Sequence, residues 1–211
     1  MNEKVIESNK LEKYFSSYKN NIVGNEIEYL SPYGKQKLIY ADWIASGRLF
    51  KPIEDKLIST FGPFVGNTHS ESSTVGSYMT KAYQFAHQYI KNHVNANDDD
   101  IIITAGSGMT KVINKFQRIL GLKIPEQLKD FLHLPEELKP VVFITHMEHH
   151  SNHTSWLETI ADVVIIQPDK NGLVDLDFFE NEIKKYKNRK LIIGSFTACS
   201  NITGIHSPYY Q

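Results

Sequence analysis

The sequence predicts an α/β fold, a parallel-rich sheet flanked by helices, on three observations. Residues 101–104, 141–145, 163–167 and 191–196 are short and almost wholly apolar, as strands buried on both faces are. Helix-period patterns alternate with these runs. The turns between them are short and rich in glycine, proline and aspartate.

The elements follow in order. Residues 1–30 are polar and rich in Asn, Lys and Glu, with a short helix expected over 11–19 and otherwise an N-terminal arm. Residues 38–42 are strand-like and stop at Trp43-Ile44-Ala45-Ser46-Gly47, where small residues permit close backbone approach. Pro52 opens a helix that runs to Phe61, with Ile53, Leu57 and Ile58 on one side. Residues 62–74 form a long loop of turn formers and hydroxyls, a type that often carries function. A long amphipathic helix follows over 75–94, where Tyr78, Ala82, Phe85, Ala86 and Tyr89 recur at three- and four-residue steps. Strand 101–104 leads through Ala105-Gly106-Ser107-Gly108 into a helix carrying Val112, Ile113, Phe116, Ile119 and Leu120. Residues 121–140, with three prolines and several charges, are a surface excursion. Strand 141–145, a histidine-rich segment, a helix over 154–160 and strand 163–167 come next. A helix over 174–186, with Leu176, Phe179 and Ile183 inward, leads to strand 191–196, and the basic run 184–190 is a solvated helix end.

Composition removes whole classes of function. With 23 Lys+Arg against 24 Asp+Glu, the net charge of −1 gives no general attraction to nucleic acid or to an anionic membrane. The single cysteine, Cys199, permits neither an internal disulfide nor a cysteine-rich zinc site. No apolar run approaches the roughly 20 residues of a membrane-spanning helix, and the first ten residues lack the apolar core of a secretory signal. A cytoplasmic protein is expected.

Ligands of open α/β sheets bind beyond the carboxyl ends of the strands, and three strand exits here are chemically loaded. At Thr104-Ala105-Gly106-Ser107-Gly108-Met109-Thr110, glycines, the N–H groups of a helix start and a threonine hydroxyl make an anion seat, or else an ordinary capped turn. At 145–153 four of the nine histidines cluster. On a helix His146, His149, His150 and His153 would share one face at metal-ligand spacing, and an imidazole can also move protons or stack on a flat cofactor. At 195–205 an amide, several hydroxyls and a glycine can orient a polar ring substituent, while Cys199 is expected to be a small buried apolar residue rather than a nucleophile.

Taken together, the three exits resemble the class V aminotransferase and cysteine desulfurase group of pyridoxal-phosphate (PLP) enzymes. The likeness runs over about Ile39 to Pro208. It rests on Tyr40-Ala41-Asp42, Gly66-Asn67-Thr68-His69-Ser70, Gly108-Met109-Thr110 with Ile113-Asn114, Glu148-His149-His150-Ser151-Asn152 with Trp156, and Ser200-Asn201-Ile202-Thr203-Gly204. The resemblance implies the large domain of a fold-type-I PLP-dependent transferase, over 31–211, with 1–30 as an N-terminal arm or a part of the small domain. It implies that Gly108, Met109 (through its backbone N–H) and Thr110 hold the cofactor phosphate. His149 would stack on the pyridine ring and assist proton transfer, and Asn201 would bond the ring's phenolic oxygen. Ala45, Asn67 and His69 fall in the substrate region. An amino-acid substrate and a homodimer of the full-length form are implied as well.

In that family the Schiff-base lysine and the aspartate that pairs with the pyridine nitrogen lie downstream of the Asn-x-x-Gly segment, and no lysine of this sequence stands in the family's context. The chain is therefore expected to be an N-terminal portion, apparently truncated and inactive alone. Two alternatives stand beside this: a metal-dependent hydrolase using the His146–His153 cluster, and a non-catalytic remnant of the fold.

Overall fold

In the computed structural model, which describes residues 3–43 and 45–210 and side chains from Lys10 onward, the chain falls into two units, Met1–Ile102 and Ile103–Gln211. Met1, Asn2, Ile44 and Gln211 lie outside the described residues.

The first unit opens with helix α1 (Glu3–Asn20), longer than the sequence suggested. An unanticipated antiparallel hairpin follows, β1 (Glu28–Ser31) with β2 (Gly34–Lys37), paired Ser31 to Gly34 across the turn. Its strands carry Glu28, Lys35 and Lys37 and bury almost nothing, so no apolar alternation announces them. Residues 38–42 are not a strand. The Tyr40 hydroxyl lies 2.9 and 2.8 Å from the carbonyls of Asp42 and Ser46, within reach of either. Helix α2 (Lys51–Lys56) has Pro in its first turn and passes at Leu57 into π-helical and 3-10 turns that end at Phe64. Ser73 caps α3 (Thr74–His93) by accepting the Gly76 N–H at 3.1 Å.

The loop before α3 packs on the helix's small-residue side. The His69 N–H donates to Thr80 Oγ1 at 3.0 Å, and a Cβ on Gly76 would stand 2.3 Å from the Ser70 carbonyl oxygen. Gly76 and Thr80 are therefore the buried residues of α3. Phe85 and Tyr89, expected inward, are exposed instead.

Residues 101–104, although apolar, are not a strand. The second unit continues past the Gly106 turn. Helix α4 (Met109–Ile119) leads to the excursion, which contains 3-10 turns at Glu126–Phe131 and Glu136–Leu138. Then come β3 (Val141–Thr145), α5 (His150–Leu157), β4 (Asp162–Ile166), α6 (Leu176–Lys185) and β5 (Ile192–Ser195). The sheet order is β4-β3-β5, all parallel, with Val141 opposite both Asp162 and Ile192. Each strand is followed by a helix or a long connection, as parallel pairing requires.

Every residue of β3 is buried, and its alternate side chains feed two cores. Val142 and Ile144 pack with Trp156 and Leu122 on one face, joined by Ile113 and Ile193. Val141 and Phe143 pack with Ile166, Phe178, Phe179 and Ile183 on the other. Phe143 meets the rings of Phe179 and Tyr186 edge-on, with centroids 5.3 and 5.7 Å away. Helices α4 and α5 thus cover one face and α6 the other, the three-layer arrangement the alternation predicted.

Arg189 fastens the excursion to this sheet. Its Nη1 donates to the Lys139 carbonyl at 2.8 Å, and its Nη2 meets Asp162 at 2.9 Å and also Glu136. Among the described residues no helix is long and apolar enough to cross a membrane.

Candidate functional site

The carboxyl ends of β3 and β5 and the N-termini of α4 and α5 converge on a cleft of about 430 Å³. Met109, Thr110, His149, Asn152, Ser195 and Thr197 are among its lining residues. The parallel sheet explains the convergence, since β3 and β5 run the same way and release their chains on the same side.

Helix α4 begins at Met109 after Gly108, whose extended backbone offers no side-chain acceptor to the first turn. The first N–H groups of a helix have no intrahelical partner, so those of Met109 and Thr110 are open to an outside acceptor. A Cβ built on Gly108 would meet no atom within 4 Å, which leaves room above this helix end. Gly106, in the left-handed region at φ +56°, turns the chain toward it, and the Lys111 stem lies across it. Asn114 binds back to the Thr110 carbonyl at 2.8 Å and accepts Lys123 Nζ at 2.8 Å, tying this turn to the chain after α4.

His149 is the N-cap of α5, an unusual choice for that position. Its Nδ1 accepts the Ser151 N–H at 3.1 Å and lies 2.8 Å from Ser151 Oγ. Because a backbone N–H can only donate, Nδ1 is the acceptor and the neutral ring carries its proton on Nε2.

The four histidines do not share a face. Helix α5 begins only at His150, so His146 and His149 precede it. His146 Nε2 lies 3.1 Å from the Gly172 carbonyl, in the loop after β4. That loop is shaped by Asp169, whose carboxylate accepts the N–H groups of Leu173 and Asn171, each at 2.8 Å. The Leu173 bond above all, with the other amides, holds the Asp169 carboxyl below the ordinary value. Among the described residues no three His, Cys, Asp or Glu side chains gather as a metal site, which leaves the hydrolase alternative without a ligand set.

Asn201 is exposed at the tip of a turn and is not among the residues that line the cleft. Ser200 builds that tip: its Oγ accepts the N–H groups of Ile202 and Thr203 at 3.3 Å, and its own N–H reaches the Ile205 carbonyl at 2.8 Å. Cys199 is exposed rather than buried, because its antiparallel bridge to His206 sets it in a surface turn. Ala45, Asn67 and His69 belong to the first unit, where all three are exposed and His69 adopts φ +66°.

Sequence reasoning assigned no role to Glu148, Asn152, Ser195 or Thr197. Glu148 Oε1 accepts the Thr145 hydroxyl at 2.6 Å and the Thr197 N–H at 2.8 Å, and Oε2 accepts Asn152 Nδ2 at 2.7 Å. Asn152 Oδ1 takes Trp156 Nε1–H and the Ser195 hydroxyl, both at 3.0 Å. The Glu148, Asn152 and Trp156 spacing of four residues was the one available signal. The Thr197 contact spans 49 residues and left none.

The chain is 25% identical over 194 residues to a probable cysteine desulfurase of Halalkalibacterium halodurans, covering 87% of this chain and 44% of that protein. A probable cysteine desulfurase of Streptomyces coelicolor is also 25% identical, over 82% of this chain and 39% of its own length. Among solved structures, the apo cysteine desulfurase of Thermococcus onnurineus shares the fold with a TM-score of 0.63 at 18% identity, over 92% of this chain and 42% of that one. The chain thus spans less than half the length of these relatives. Their fold is that of fold-type-I PLP enzymes, of which the three-stranded parallel sheet with its covering helices is a part. The sequence model of one family, aminotransferase class-V, matches residues 39–211, and it is to this family that the chain belongs.

Proposed function

We propose that the cleft seats pyridoxal 5'-phosphate and that the chain supplies the phosphate-holding and ring-stacking side of a PLP-dependent enzyme, of the class V aminotransferase or cysteine desulfurase type, acting on an amino acid. The observation that carries the proposal is the pairing, in one cleft, of an uncapped helix N-terminus with an imidazole of fixed tautomer. The donor set fits the group. The N–H groups of Met109 and Thr110, with the Thr110 hydroxyl, suit a dianionic phosphate at the positive end of a helix dipole. No atom crowds the backbone at Gly108, where even a Cβ would meet nothing within 4 Å.

When bound, the cofactor supplies an electron sink for negative charge developing at an amino acid's α-carbon. The chain's own residues hold and orient it. His149 presents a flat ring whose Nε2 carries an exchangeable proton, suited to stacking and to proton transfer near neutral pH. None of the residues lining the cleft is a lysine or an aspartate, so uptake by this chain is noncovalent and amino-acid turnover is absent. A cytoplasmic homodimer is the setting proposed for the full-length enzyme.

The test is a titration of the chain with PLP followed by absorbance and by quenching of tyrosine and tryptophan emission. Saturable uptake is expected, competed by inorganic phosphate and leaving no lysine adduct after borohydride. Uptake that never saturates, or that borohydride fixes on surface lysines, contradicts the proposal.

A further inference from the structure

We propose that Glu148 is the positioning residue of the cleft, an acceptor-only side chain that holds His149 and Thr197 in place. As far as it concerns the cofactor, this rests on the function proposed above.

Glu148 joins three elements at once. Its Oε1 takes the Thr145 hydroxyl at the end of β3 and the Thr197 N–H beyond β5, with the Thr145 N–H at a longer 3.3 Å. Its Oε2 takes the Asn152 amide on α5. The direction of every one of these bonds is fixed. The backbone N–H of Thr197 can only donate. The Thr145 hydroxyl accepts the Met147 N–H at 3.2 Å and donates its own proton to Glu148, a carboxylate with no proton to offer in return. Asn152 must present its NH2 group to Glu148, because Trp156 Nε1–H, which can only donate, occupies Oδ1.

The position therefore demands acceptors on both terminal atoms, which a carboxylate has and a carboxamide of the same shape lacks. In E148Q the new NH2 group faces either Thr197 N–H or Asn152 NH2, so a donor meets a donor whichever way the amide turns. His149 follows Glu148 directly, and its ring is held by Ser151 on the same first turn of α5. With the clamp released, that turn no longer holds the Ser151 N–H against Nδ1. The ring then exchanges between tautomers, and Thr197 drifts from the cleft wall.

The experiment compares the wild-type chain with E148Q and E148A. Long-range 1H–15N spectra read the His149 ring, identified by the resonance lost in H149N, and the PLP titration and thermal midpoint are recorded on the same samples. The wild type is expected to show the single Nε2–H tautomer. E148Q is expected to show an exchanging mixture and PLP affinity about tenfold weaker, as expected if the His149 ring is correctly held only about a tenth of the time. A wild-type tautomer and wild-type affinity in E148Q overturn the proposal, even if its melting falls, since a purely structural role would lower melting alone. If E148A does not fold, E148Q decides. If the wild type takes up no PLP, the cofactor proposal fails while the tautomer comparison still judges Glu148.

Discussion

Trp156 decides which way the Asn152 amide faces: the indole Nε1–H lies 3.0 Å from Oδ1, and the NH2 group is thereby turned to Glu148. Trp156 is 1% exposed and part of the core between β3 and helices α4 and α5. One side chain thus fills the core and sets the polarity of the cleft wall. Replacing it with phenylalanine is expected to destabilise the chain by about 2–3 kcal/mol, from lost volume and a lost buried hydrogen bond. In urea melts W156F shifts the midpoint more than L157A, since Leu157 on the same helix is 55% exposed. Equal shifts would show that the indole contributes nothing beyond helix formation.

Arg189 is expected to matter for stability where its surface neighbours do not. Its side chain is 10% exposed and bridges the excursion, β4 and the segment before β5. R189A leaves the half-buried Asp162 with Lys139, 2.5 Å away, as its remaining ion pair among the described residues, and is expected to cost about 2–3 kcal/mol. E136A removes a carboxylate that is 79% exposed and costs less than about 1 kcal/mol. Urea denaturation of the two variants separates these values.

Asp169 predicts a pH signature. The amides of Leu173, Asn171 and Gly172 hold its folded carboxyl below the unfolded value. The group therefore contributes stability that is fully present above its unfolded pKa, near 4, and is lost as pH falls through the depressed folded value. Acid unfolding of D169N should differ from wild type at neutral pH and converge with it under strong acid. Because the same loop presents the Gly172 carbonyl to His146, D169N also shifts the His146 ring resonance. A constant gap at all pH values would refute the linkage.

Much of the second unit could be read from its sequence. The apolar runs at Val141–Thr145, Asp162–Ile166 and Ile192–Ser195 are strands within a residue or two of expectation, although only the first is buried throughout and the last alternates exposed with half-buried residues. The run at 101–104 is equally apolar yet is not a strand, since strand formation depends on a neighbour that composition does not specify. The hairpin Glu28–Lys37 was invisible for the opposite reason: its strands are charged and exposed. At the site, Met109, Thr110 and His149 line one cleft and Asn201 does not. The metal-ligand face of the four histidines depended on a helix beginning four residues too early, whereas His149 ends the turn and caps α5. Glu148 was in plain view but without a role, because the Thr197 N–H that defines it lies 49 residues away.

Thr110 is expected to separate phosphate binding from folding. It sits in the exposed first turn of α4, so T110V should leave the thermal midpoint within about 0.5 kcal/mol of wild type, as exposed substitutions usually do. The same change removes one hydroxyl donor from the proposed phosphate seat and should weaken PLP uptake roughly fivefold to tenfold. An unchanged affinity would move the phosphate away from α4.

The cofactor's own phosphorus reports most directly on whether the α4 N-terminus and His149 form one seat. In 31P spectra of PLP titrated with the chain, a saturable shift is expected, abolished by excess inorganic phosphate, strongly reduced in T110V and weakened in H149A. A phosphate resonance that stays at its free position, or shifts identically with wild type and T110V, would contradict the cleft as the cofactor's seat.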